Sequence, residues 1–167
     1  MKPILNLFWQ ICLLRQSPAY VPTYGWFVVA VVVANVVCST LVSASLDEGF
    51  EFFSTLTSII VSQTTTAGLV MLALTFKNMG QRFVTTITAI FGCDLLITAC
   101  FALVLPISAL IGEAAISLAL VAFLIWSVAV GGFILHRALQ TQLAVGIGVA
   151  MGISLLSVTL GRVAIGQ

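Results

Sequence analysis

The chain has 167 residues, of which 61% are hydrophobic and only 7% charged, and its net charge is +1. A soluble domain carries about 25% charged residues, so this chain cannot clothe itself in a water-facing surface; its mean hydropathy of +1.24 agrees. There is no basic excess to bind nucleic acid, and at about 20 apolar residues per crossing there is room for at most about six spans.

Met1 to Arg15 reads as an amphipathic helix. Ile4, Leu7, Phe8 and Ile11 recur at helical spacing, Lys2, Asn6 and Gln10 interrupt the apolar run, and Trp9 suits a membrane interface. A secretory signal peptide is the competing reading, because Lys2 precedes an apolar run. Asn6, Gln10 and Arg15 break that run, however, and no A-x-A site follows. The expectation is an uncleaved helix lying on the membrane surface. Pro18 and Pro22 then end it, since each fixes φ and removes a donor. Residues 1–22 are thus expected to form an amphipathic cytoplasmic-side interfacial helix with a Pro-rich linker, and residues 23–167 a five-helix transmembrane domain.

Span 1 is predicted from about Tyr24 to Leu46, with Tyr20, Tyr24 and Trp26 as an aromatic anchor. Its valine-rich run from Phe27 to Val37 would suggest a strand in water. In hydrocarbon the length decides for a helix, because only helices and closed barrels satisfy the backbone. Asp47, Glu48 and Glu51 make an acidic turn. Span 2 runs from about Phe52 to Leu74, has the polar middle Ser62-Gln63-Thr64-Thr65-Thr66, and leads into the basic turn Lys77 to Arg82. Span 3 runs from about Phe83 to Leu105 and stops near Pro106. Span 4, about Ala114 to Leu135, ends at His136-Arg137, and span 5, about Leu143 to Leu160, leaves Arg162 just beyond. The fold class is all-α: a polytopic bundle of five transmembrane helices with an N-terminal amphipathic interfacial helix.

Charge supports that count. With five spans, Lys2, Arg15, Lys77, Arg82 and Arg137 share one side, while Asp47, Glu48, Glu51 and Glu113 share the other. The positive-inside rule then places the N-terminus in the cytoplasm and the C-terminus outside, with only Arg162 dissenting.

The middles of the predicted spans carry polar residues at one depth: Asn35, Gln63 with Thr64, Asp94, and Trp126 with Ser127. A charged side chain at that depth costs about 2.5–3.5 kcal/mol on insertion scales, so Asp94 requires a reason. Asn35 and Gln63 can each donate to a carboxylate, and threonine hydroxyls can add to that. Two readings stand. The groups fasten the helices together, each bond contributing about 0.6 kcal/mol on average, or they form a proton or ion site on Asp94. Inverted repeats with broken helices, which would favour a transporter, are not seen.

Ala144, Gly148 and Gly152 lie four apart on span 5, sharing a face that permits close backbone contact. Packing within the bundle is the expectation and a homo-oligomer seam the alternative. Lys77, Arg82, His136 and Arg137 mark the cytoplasmic face. His136, the only histidine, reads as a helix-end cation or a headgroup contact before a ligand. Cys12, Cys38, Cys93 and Cys100 have neither CxxC nor metal spacing and read as small packing residues. No nucleophile elbow, phosphate loop, HExxH or dinucleotide motif occurs, so no metal, cofactor or enzymatic activity is expected.

Five spans, very short loops and an amphipathic N-terminus resemble the Yip1 family. The stretch Gln81-Arg82-Phe83 with Thr85, Thr88-Ala89 and Phe91-Gly92-x-Asp94, followed by His136-x-Ala138-Leu139, is similar to proteobacterial inner-membrane proteins grouped with that family. The resemblance covers most of the chain in topology and about thirty residues in motif. It implies a location in the bacterial inner (plasma) membrane and brings no activity or cofactor with it; the expected function is a scaffold or accessory subunit beside another membrane protein or a second copy. A small proton-coupled or ion-conducting protein using Asp94 is the alternative function, and a lipid-modifying membrane enzyme a third.

Overall fold

Apolar segments of this length leave every backbone N–H and C=O to be satisfied within the segment, and the chain answers with helices throughout. A computed structural model of the protein describes residues 2–16, 18, 21, 24–46 and 51–165. The helices are α1 (Lys2–Cys12), α2 (Gly25–Leu46), α3 (Phe52–Phe76), α4 (Phe83–Ile111), α5 (Glu113–Leu139) and α6 (Leu143–Ala164), with a 3-10 turn at Gly80–Arg82. The last five are each long and apolar enough to cross a membrane. Ser17, Ala19, Tyr20, Pro22, Asp47 and Glu48, and with them the expected domain boundary at 22/23, lie outside the described residues.

The helix ends follow local chemistry. Lys77 and Met79 N–H groups both donate to the Leu74 carbonyl, closing α3 before the 3-10 turn. Gly112, at φ 127, separates α4 from α5 in a conformation that side chains rarely adopt. Two expected boundaries move. Pro106 does not stop α4, which continues to Ile111; the lost N–H is tolerable where the surrounding turn still satisfies the helix. His136 and Arg137 occupy the last turn of α5 and Arg162 the last turn of α6, instead of lying beyond them.

In cross-section the spans form a ring, α2–α3–α6–α5–α4, with α4 closing back on α2. Glycine decides the α5–α6 contact. A Cβ on Gly132 would sit 2.7 Å from the Ile147 Cα, and one on Gly146 would run into the Gly132 carbonyl oxygen. The α3–α6 contact is pinned by a 2.8 Å bond between the hydroxyls of Thr66 and Ser157.

The small-residue face expected to pack inside the bundle is corrected here. Ala144, Gly148 and Gly152 are all exposed, and a Cβ on either glycine would meet nothing within 4 Å. The buried stripe of α6 is Gly146, Ala150, Ile153, Ser157 and Gly161. At 3.6 residues per turn it lies on the opposite side of the helix. The bundle takes the side carrying Ser157, whose hydroxyl finds a partner there.

α1 is amphipathic, as expected, but the bundle covers its apolar face. Phe8, Ile11 and Cys12 pack with Ala89, Cys93, Ile97, Val130 and Ile134. The Phe8 ring occupies the space a side chain on Gly92 would need. Trp126 donates its indole N–H to the Cys12 carbonyl at 3.0 Å, and Trp9 meets Trp126 edge-on with centroids 6.5 Å apart. α1 therefore sits in the groove between α4 and α5, reaching the level of Trp126 at the centre of α5.

Candidate functional site

Asn35 is the centre of the polar constellation. It is 1% exposed. Its Nδ2 donates to the Phe91 carbonyl at 3.1 Å and to Asp94 Oδ2 at 3.0 Å. Its Oδ1 accepts from Gln63 Nε2 at 2.5 Å and from Ser39 Oγ at 3.4 Å. An asparagine amide has two donor hydrogens and two acceptor lone pairs, and here all four are engaged. Phe91 and Asp94 are three apart on α4, so one amide can reach both. The result is a clasp joining α2, α3 and α4 through one side chain.

Of the four residues expected at this depth, the structure brings together Asn35, Gln63 and Asp94. Thr64 stands apart: it is exposed, and its hydroxyl returns to the Ile60 carbonyl of its own helix at 2.8 Å. That bond satisfies a threonine without any neighbour, so a threonine-rich run does not by itself mark an interior face.

Asp94 is half-buried because its other side borders a cavity of about 170 Å³ at the centre of the ring. The polar part of the lining is Ser62, Gln63, Thr66, Asp94, Ser127 and Ser154. At roughly 30 Å³ per molecule, about six waters would fill it. Gln63 Oε1 is buried and has no hydrogen-bond partner in the protein. Sequence reasoning missed Ser154, Ser157 and the Phe91 carbonyl. The two serines had a signal, since both lie within a turn or two of Ala150 on the side of α6 that faces away from Gly148; the carbonyl had none.

Lys77, Arg82, His136 and Arg137 lie at one end of the bundle, whereas Glu51 and Glu113, and with them Arg162 in the last turn of α6, lie at the other. Arg82, His136 and Arg137 line a cleft of about 570 Å³ together with Pro18, Thr85, Thr86, Ala138 and Gln140. Lys77 is exposed near the same end and is not part of that lining. His136 Nδ1 pairs with the Thr141 carbonyl, and the Arg137 guanidinium lies 5.4 Å from the Phe133 ring centroid. Among the described residues, no three His, Cys, Asp or Glu side chains come together to hold a metal.

Fold and site together define a five-span, all-α membrane protein with a polar clasp at mid-depth and a cluster of basic side chains at one end. Comparison of the chain with protein-family models, with curated proteins and with solved structures finds no match.

Proposed function

We propose that the protein is a non-enzymatic scaffold or accessory subunit of a membrane complex in the bacterial inner membrane, the location that its resemblance to the Yip1 family implies. One observation carries this reading: α6 has small residues on two opposite sides. One side, with Gly146 and Gly161, is consumed inside the bundle, and the other, Ala144, Gly148 and Gly152, is left facing outward. Without a hydrophobic drive between helices in lipid, close approach at small residues is what brings spans together, so the outer side suits a helix of another membrane protein. The gathering of Arg82, His136 and Arg137 at one end supports placing that end, with the N-terminus, in the cytoplasm and the C-terminus outside.

The test is a photo-crosslinking residue at position 148, in native membranes, with mass spectrometry of the adduct. A defined second polypeptide supports the accessory role. Adducts with this chain alone make the face a homo-oligomer seam, and lipid adducts alone refute the reading. Position 80 is expected to resist impermeant thiol labelling from outside intact cells.

A second reading rests on a separate observation. Asp94 and the unpartnered Gln63 Oε1 border the same central cavity, an arrangement that suits a proton or ion site. It predicts pH-dependent flux in liposomes that Asp94→Asn abolishes.

A further inference from the structure

The cleft at the basic end is built more tightly than a scatter of solvated cations. Arg82, Arg137 and His136 come from two turns distant in sequence and converge on one concave space with no carboxylate in its lining. The described acids are remote, Glu51 and Glu113 at the far end and Asp94 in the clasp with Asn35. The cations are also held. Turned so that its oxygen faces the guanidinium, the Gln140 amide accepts from Arg82 Nη2 at 3.0 Å and Nη1 at 3.2 Å, the orientation that satisfies both groups. Arg137 is steadied over Phe133. His136 donates from Nδ1 to the Thr141 carbonyl, which fixes the ring and, in its neutral form, leaves Nε2 an acceptor for a phosphate hydroxyl.

Gln140 adds an independent sign. It caps α5 in the left-handed conformation, at φ 50 and ψ 46. Helices ending this way commonly place glycine there, because glycine adopts that backbone without penalty. Glutamine at this position gives up that ease, and its side chain is the one that positions Arg82.

We infer that the cleft formed by Arg82, His136, Arg137, Thr85 and Gln140 binds a phosphate group at the membrane surface. Two guanidinium forks match phosphate oxygens in geometry and charge. The Thr85 hydroxyl supplies a neutral donor, while Gln140 holds Arg82 in place. The phosphate can come from an anionic phospholipid headgroup or from free phosphate, since the chemistry recognised is the same.

The full chain, purified in a phosphate-free non-ionic detergent, is titrated with phosphatidylglycerol, with inorganic phosphate and with diacylglycerol, and binding is read by native mass spectrometry and by thermal shift. A phosphate-bearing probe is expected to bind saturably and diacylglycerol not to bind. Arg82→Gln with Arg137→Gln should weaken binding at least about tenfold, the scale of losing charge-assisted hydrogen bonds, whereas Lys77→Gln should leave it unchanged. Gln140→Gly should melt no lower than the parent yet bind several-fold more weakly, which separates the site from the fold. Binding of phosphatidylglycerol alone assigns a lipid headgroup; competition by inorganic phosphate assigns the free ion. The inference is overturned if neither phosphate probe binds, if diacylglycerol binds equally well, or if the double arginine variant or Gln140→Gly binds like the parent.

Discussion

Replacing Asn35 with alanine removes a side chain that joins three spans. Three of its bonds cross between helices, to the Phe91 carbonyl, Asp94 and Gln63. At about 0.6 kcal/mol each inside a membrane they sum to roughly 2 kcal/mol. Stranding the Gln63 amide adds about 1 kcal/mol or more for a buried group without a partner. Asp94 adds less, because its border with the central cavity lets water replace the lost amide. The expected loss is therefore about 3 kcal/mol, and at about 2–4 °C per kcal/mol for a chain of this size the melting point falls by roughly 6–12 °C. The assay is thermal unfolding in detergent, with Thr64→Val as the matched control. Thr64 bonds only its own helix and is exposed, so its variant should stay within about 0.5 kcal/mol of the parent. If Asn35→Ala melts together with Thr64→Val, the clasp does not hold the helices and the reasoning fails.

Gly146→Leu should unfold or strongly destabilise the bundle, since even a Cβ there runs into the Gly132 carbonyl, whereas Gly148→Leu, with nothing within 4 Å, should melt like the parent in detergent; equal melting of the two would refute the packing face. Gly92→Leu should expel the Phe8 ring and release α1, seen as faster hydrogen–deuterium exchange of α1 amides, while Gly68→Leu, in open space on α3, should leave them protected. Unchanged exchange in Gly92→Leu would mean that α1 is not docked between α4 and α5.

The spans were legible because two independent signals agreed: apolar length, and the alternation of acidic and basic turns from Glu51 through Arg82 and Glu113 to Arg137. Their ends were less so. Pro106 reads as a stop from rules learned in water, but α4 carries it through to Ile111. In the site, amides and a carboxylate at matching depths found one another, because none can be satisfied within its own helix. Thr64 misled because a hydroxyl can be, by the carbonyl four residues back. The packing face of α6 was ambiguous in sequence, where Ala144-Gly148-Gly152 and Gly146-Ala150 are equally good small-residue series. Neighbours on other helices, Gly132 on α5 and Thr66 on α3, choose between them. The docking of α1 depends likewise on Gly92 and Trp126, which nothing local ties to Phe8 and Cys12.

The account holds that Asp94 is a structural member of the Asn35 clasp within a scaffold, and Asp94→Asn tests this most directly. Asparagine keeps the size of the side chain and an oxygen to accept from Asn35 Nδ2, which lies 3.0 Å from Asp94 Oδ2. It exchanges the second carboxyl oxygen for an amide nitrogen and so removes the capacity to gain and lose a proton. Thermal stability in detergent and the cellular phenotype of the deletion are measured side by side on this one variant. The account predicts a protein that melts close to the parent and fully complements the deletion. A variant that folds as stably as the parent yet fails to complement would contradict it, and would assign Asp94 to proton or ion chemistry in the central cavity.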